Sequence, residues 1–156
     1  MVGSTPSIEL TLLFTLGSRA VIDELHRQLA ARGYDDLRPA HGFAFQRIAQ
    51  GGATGNELAA FLGMTKQAAS QMIEYLEGRG YVAREPNPDD RRGKIIALTE
   101  RGWASLRASA AILGAIEAEW AALLGAERLA ELRGDLRRLV TATAGGTLPR
   151  QLRPVW

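Results

Sequence analysis

Cysteine is absent from the 156 residues. That absence removes disulfide staples, thiolate metal sites and thiol redox sensing together. Histidine is nearly absent too: only His26 and His41 occur, too widely spaced for a recognisable metal motif, so neither a metal nor a cofactor is expected. Charge of one sign is also lacking. Lysine and arginine total 19 against 17 acids, and a formal charge of +2 permits binding to a polyanion without arguing for it. No apolar run approaches the roughly 18 residues a membrane span needs, and MVGSTP at the start has no charged-then-apolar leader. A cytoplasmic protein with no membrane partner is expected. A phosphate-cradling glycine loop is missing, and no Ser-His-Asp set can be placed in one site, so the chain is not expected to be an enzyme.

What is present is organised around residues 54–99. Thr54 and Glu57 form a T-x-x-E capping box, which satisfies two backbone N–H groups at a helix start. Leu58, Phe61 and Leu62 supply an apolar face, and Gly63 is the turn residue, able to take positive φ. Thr65 caps a second helix. In it Ala69, Met72, Ile73 and Leu76 recur at helical spacing and face a core, leaving Lys66, Gln67, Ser70, Gln71 and Glu74 outward. Such a face is either simply solvated or suited to base edges, since Gln can bond adenine at two points and Lys can reach guanine or phosphate.

A β-hairpin follows. Tyr81 to Glu85 and Lys94 to Leu98 have strand character, and Pro86, Asn87, Pro88, Asp89 and Asp90 predict a tip that cannot continue the ladder. Arg91 and Arg92 sit beside the two aspartates. A guanidinium held by a neighbouring carboxylate would be aimed in advance, and arginine is drawn to the negative potential of a narrow minor groove. A solvated charge cluster is the plainer reading of the same residues.

On either side the chain is helical. A long helix is expected from about Ser7 to Arg32, with Leu12, Leu13, Leu16, Ala20, Leu25 and Leu29 spread over much of its circumference. Another runs from about Pro39 to Gln50. After the hairpin, Thr99 can cap a helix over 100–123, and 127–143 carries the stripe Leu129, Leu132, Leu136, Leu139 and Val140. The tail, 145–156, contains proline and glycine and is expected to be mobile unless Trp156 docks. The outer helices carry more apolar surface than one lobe of this size can cover. They make either a monomeric helical core or an interface with a second copy.

Asp90-x-Arg92, then Leu98-Thr99 followed by Glu100 and Gly102, resembles the wing signature of the MarR family of bacterial transcriptional regulators. The order of helix-turn-helix, LEGRGYV exit and wing is similar too. The likeness runs from about Leu10 to Ala142 and is most specific from Leu58 to Gly102. It implies a mainly α fold with a small β-hairpin wing: a winged helix-turn-helix lobe (39–99), a long connecting helix (100–123) and dimerisation helices (7–33 and 124–144), all in one MarR-like domain over 1–156.

The resemblance also implies a homodimer that binds double-stranded DNA at a palindromic operator, probes the major groove with one helix and reaches the minor groove with the wing. Carried onto this sequence, Thr65, Lys66, Gln67, Ser70 and Gln71 lie on the recognition helix. Arg92 takes the minor-groove position with Asp90 as its orienting partner, Arg91 and Lys94 meet phosphates, and Thr54 offers a phosphate its hydroxyl or backbone N–H. Ala68 stands where many relatives carry a hydroxyl or larger residue. A pocket for a small aromatic effector is implied at the junction of lobe and outer helices, with His41, Phe45 and Trp103 as candidate lining; aromatic residues at helical spacing are equally the stuff of cores. Without cysteine, oxidant sensing through a thiol is closed to this chain. A winged-helix module that binds protein instead would be expected to show apolar or acidic residues on the exposed helix face and no wing-tip arginine. Only Glu74 points that way.

Overall fold

Six helices and one hairpin make up the computed structural model, which describes residues 8–146. The helices are α1 (Glu9–Ala31), α2 (Pro39–Ile48), α3 (Gly55–Leu62), α4 (Lys66–Gly78), α5 (Glu100–Leu124) and α6 (Ala126–Thr143); the strands are β1 (Val82–Asn87) and β2 (Asp90–Leu98). The fold is thus mainly helical with a small antiparallel wing, as expected. The expectations about MVGSTP and Trp156 concern residues outside those described.

Local chemistry accounts for the helix boundaries at the centre. Thr54 Oγ1 accepts from the Glu57 N–H at 3.2 Å while the Glu57 carboxylate accepts from the Thr54 N–H at 2.8 Å, the reciprocal capping box. Gly63 closes α3 in the left-handed region, with φ +63. Thr65 accepts from the Ala68 N–H at 3.1 Å and opens α4. At the other end of the lobe Thr99 Oγ1 accepts from the Gly102 N–H at 3.1 Å and donates to the Gly80 carbonyl at 2.6 Å. One hydroxyl therefore caps α5 and ties its start to the turn between α4 and β1.

The strands reach further than the prolines suggest. Pro86 pairs with Lys94 and Asn87 with Asp90, so the ladder continues past Pro86 and the turn is only Pro88-Asp89. Proline is tolerated because β1 is an edge strand; the sheet's other neighbour is Ala53, which exchanges both backbone hydrogen bonds with Ile96 on β2. Between the last two pairs the register shifts, which leaves Arg91, Arg92 and Gly93 opposite no partner. The α2 helix also stops at Ile48, two residues short of the expected Gln50.

The main core fills the lobe. Phe45, Ile48, Leu58, Leu62, Ile73, Leu76, Tyr81 and Ile96 are buried from five different elements and loops. A smaller cluster of Leu29, Ile112 and Ile116, with Val21, Leu25 and Leu113 around it, joins the C-terminal half of α1 to α5. Beyond it the burial ends: Leu10, Leu12, Leu13, Phe14 and Leu16 on α1 and Leu132, Leu139 and Val140 on α6 are all exposed. The chain turns through 115° between α5 and α6, at Gly125 with φ +89. Among the described residues, no single helix is long and apolar enough to cross a membrane.

Candidate nucleic-acid interface

The α4 helix buries Ala69, Ile73 and Leu76 and so fixes which way its other side points. Thr65, Lys66, Gln67, Ser70, Gln71 and Glu74 are all exposed, as one polar face at the N-terminal end of the helix. The face is presented by a backbone held at both ends, by the Thr65 cap and by the contacts of Tyr75 and Arg79 described below.

The wing tip is ordered by two short side chains. Asn87 Oδ1 accepts from the Asp89 N–H, and Asp90 Oδ1 from the Arg92 N–H, each at 3.0 Å. Asp90 thus orients Arg92 through its backbone and not, as the sequence suggested, by holding its guanidinium. The reason is geometric: the register shift leaves Arg92 without a partner across the ladder, and the carboxylate two residues before accepts its N–H instead. Arg91, Arg92 and Lys94 are exposed and, like Lys66, form no ion pair among the described residues, whereas Arg84 lower on the wing is bound to Glu77 at 3.1 Å. Four cations are therefore uncommitted on the wing tip and at the start of α4.

At the cap of α3 the Thr54 N–H is occupied by Glu57, so of the two donors expected there only the hydroxyl remains. Glu57 in turn meets Arg47 at 3.4 Å, and Arg47 donates to the Gly52 carbonyl at 2.8 Å.

A polar knot that the sequence did not announce sits behind α4. Tyr81, fully buried, donates its hydroxyl to Asp36 Oδ1 at 2.5 Å and accepts from Arg101 at 3.0 Å. Burial and the Asp36 carboxylate push the Tyr81 hydroxyl up to about 12. No local pattern could have revealed this contact, because 45 residues separate its partners.

The junction between lobe and outer helices does contain a cavity of about 160 Å³, lined mainly by apolar groups of α1, α2 and α5, among them Leu25, Phe43, Leu106 and Leu113. Of the three residues expected there, Phe45 contributes to the wall; His41 and Trp103 do not. His41 is drawn elsewhere: its Nδ1 accepts from the Arg38 N–H at 3.1 Å at the start of α2, and its ring stacks on Tyr75 with centroids 5.4 Å apart. Burial, reinforced by Arg38, holds it down at about 4, so it is neutral near pH 7. Trp103 lies a turn before the cavity-lining part of α5 and is 38% exposed. The histidine on the cavity wall is His26, which was not among the three; burial lowers its pKa.

Residues 36–93 match the family model for the MarR family. Among solved structures, the reduced form of MarR from E. coli superposes with a TM-score of 0.70 at 26% identity, covering 87% of this chain and 99% of that one. A mutant of S. aureus MepR bound to an oligodeoxyribonucleotide gives 0.61 at 21% identity, over 88% and 99% of the two chains. YusO from Bacillus subtilis gives 0.67 at 22%, over 86% and 94%. Among curated proteins none matches.

Proposed function

From a chain with MarR-family sequence at its centre and the MarR winged-helix fold throughout, we propose a dimeric, sequence-specific DNA-binding regulator of transcription, acting as a repressor at palindromic operators. The observation that carries this reading is the set of uncommitted cations, Lys66, Arg91, Arg92 and Lys94, on α4 and on a wing tip braced by its own side chains. Gln67, Ser70 and Gln71 read base edges in the major groove, Arg92 enters the minor groove, Arg91 and Lys94 neutralise phosphates, and the Thr54 hydroxyl, with Thr65, adds contacts to the backbone. The MepR mutant is bound to an oligodeoxyribonucleotide in the same fold, which supports the assignment.

The dimer is formed by the outer helices, 7–33 and 124–144. Its support is the exposed apolar face of α1 and α6, where Leu10, Leu13, Leu16, Leu139 and Val140 stand open in a single chain. A twofold pair sets two recognition helices about one DNA turn apart, matching a palindrome. The cavity beneath α1 and α2 takes a small aromatic effector. No catalytic role is assigned, and the protein works in the cytoplasm with no membrane partner.

The test is selection of duplexes from a random-sequence pool, followed by binding of the selected duplex at two salt concentrations against unrelated DNA. Retention of one palindromic sequence, weakening steeply with salt, is the expected result. Binding no tighter than to unrelated DNA would replace this reading with a winged-helix module that binds protein.

A further inference from the structure

The connector between α1 and α2, residues 32–38, is short, and it is tied at several points to the back of the DNA-facing lobe. Asp36 is the centre of those ties. Its carboxylate, 11% exposed, accepts from the Tyr81 hydroxyl at 2.5 Å, lies 3.6 Å from Arg79 and 3.8 Å from Arg101. Its backbone carbonyl accepts from the Tyr75 hydroxyl at 2.8 Å. The same two arginines are stacked on tyrosines, Arg79 over Tyr75 at 5.2 Å and Arg101 over Tyr81 at 4.6 Å and Tyr34 at 5.7 Å. Tyr75 is in the last turns of α4, Arg79 caps it, Tyr81 leads into β1, and Arg101 is in the first turn of α5.

We propose that Asp36 is a positioning residue for DNA recognition: it touches no DNA, and it sets the angle of α4 and the wing by holding the end of one, the start of the other and the start of α5 on a single carboxylate. The inference rests on the DNA-binding reading for its functional consequence. Three facts favour positioning over a diffuse role in stability. The four ties reach the end of α4, the residue that leads into β1 and the first turn of α5, where the DNA-facing elements join the rest of the chain. Two of them are hydrogen bonds from tyrosine hydroxyls, so their geometry is more directional than apolar packing would be. And on its other side the connector lines the cavity through Leu37 and Arg38, so whatever moves the wall moves the residue that aims α4.

The test uses the full chain and two variants. Asp36→Asn keeps an acceptor for Tyr81 and removes the charge that gathers the arginines; Tyr75→Phe keeps both ring stacks and deletes only the bond to the Asp36 carbonyl. Affinity is measured for the duplex the wild-type protein selects and for an unrelated duplex, and hydrogen exchange is followed over α4 and the hairpin in the free protein. The expected result for Asp36→Asn is an about tenfold loss for the selected duplex with unrelated-duplex binding kept, and faster exchange confined to residues 75–82 and 99–102. Tyr75→Phe gives the same pattern at smaller amplitude. Equal losses on both duplexes, or exchange accelerated evenly through the chain, would overturn positioning in favour of general stability. Unchanged affinity and exchange in a folded Asp36→Asn protein, or in Tyr75→Phe where Asp36→Asn does not fold, would overturn it outright. Should the wild-type chain select no duplex, the DNA reading fails by itself, and the exchange pattern still decides whether Asp36 holds α4.

Discussion

The winged lobe and the outer helices are built to different standards of completeness. In the lobe Ala44, Ala53 and Tyr81 are fully buried, and every buried side-chain polar atom among the described residues has a partner. On α6, by contrast, Leu129 alone is buried, while Leu132, Leu139 and Val140 of the same stripe stand exposed. Both regions show clean helical periodicity. The difference teaches that periodicity announces which face wants cover but not whether the same chain supplies it: in the lobe it does, and at the helix ends it does not.

The comparison can be broken most severely at Gly102. A Cβ there would overlap the Tyr81 carbonyl oxygen, an acceptor already bonded to the Thr99 N–H, so the backbone itself would have to move. We expect Gly102→Ala to cost roughly 4 kcal/mol or more and to unfold the lobe; Gly134→Ala on α6, where nothing lies within 4 Å, should shift stability by less than about 1 kcal/mol. Equal thermal midpoints for the two variants would refute the contrast.

At the helix ends the corresponding break is in assembly. Leu13→Lys should weaken the proposed dimer by about 4 kcal/mol, near a thousandfold, at roughly 2 kcal/mol for the buried leucine lost from each of the two protomers. Light scattering should then report a monomer whose lobe still melts cooperatively. A wild-type chain that is already monomeric at micromolar concentration would remove the dimer from the argument.

Acid sharpens the same division. His41 is neutral in the fold, with a pKa lowered from 6.5 to about 4, so the unfolded chain binds the extra proton between these values. Stability is therefore full above about pH 6.5 and falls as pH drops toward 4, by an amount on the order of 3 kcal/mol. Asp36, Arg38 and His26 are the charged and titratable groups that act on it. His41→Gln should flatten the slope between pH 6.5 and 4 in denaturant titrations. A slope unchanged in that variant would assign acid sensitivity elsewhere.

The smallest effect is expected at Arg92, whose side chain forms no hydrogen bond or ion pair among the described residues. Arg92→Ala should leave the thermal midpoint within error and cost about 1 to 2 kcal/mol of operator binding. Undiminished affinity would take the wing out of the recognition surface.

Much of the lobe was legible because its signals are local. Thr54 with Glu57, Gly63 and Thr65 each act within four residues, and each sits in the structure where its chemistry required. The wing was read short, since Pro86 argues against a ladder unless the strand is known to lie at an edge, and sheet position is not a local property. Likewise Gly102 was visible as a residue, whereas the carbonyl that requires it, 21 residues earlier in the chain, was not. Assigning His41 rather than His26 to the cavity shows the same limit. Both histidines lie on helices that border the junction, and only the way α1 and α2 pack against α5 decides which ring meets the cavity.

Thr99 and Gly102 leave α5 no slack where it joins the lobe, and this gives the helix a mechanical meaning. Its 25 residues make a rod about 37 Å long at ~1.5 Å per residue, clamped to the lobe at one end and reaching the exposed leucines at the other. In the proposed dimer a tilt of about 5° at the far end would carry each lobe through about 3 Å, a sizeable error against a groove repeat of about 34 Å. A rod held so firmly at one end works as a lever, so in that proposed dimer the pitch between the two α4 helices would be adjusted with least distortion at the end of α5 farthest from the lobe.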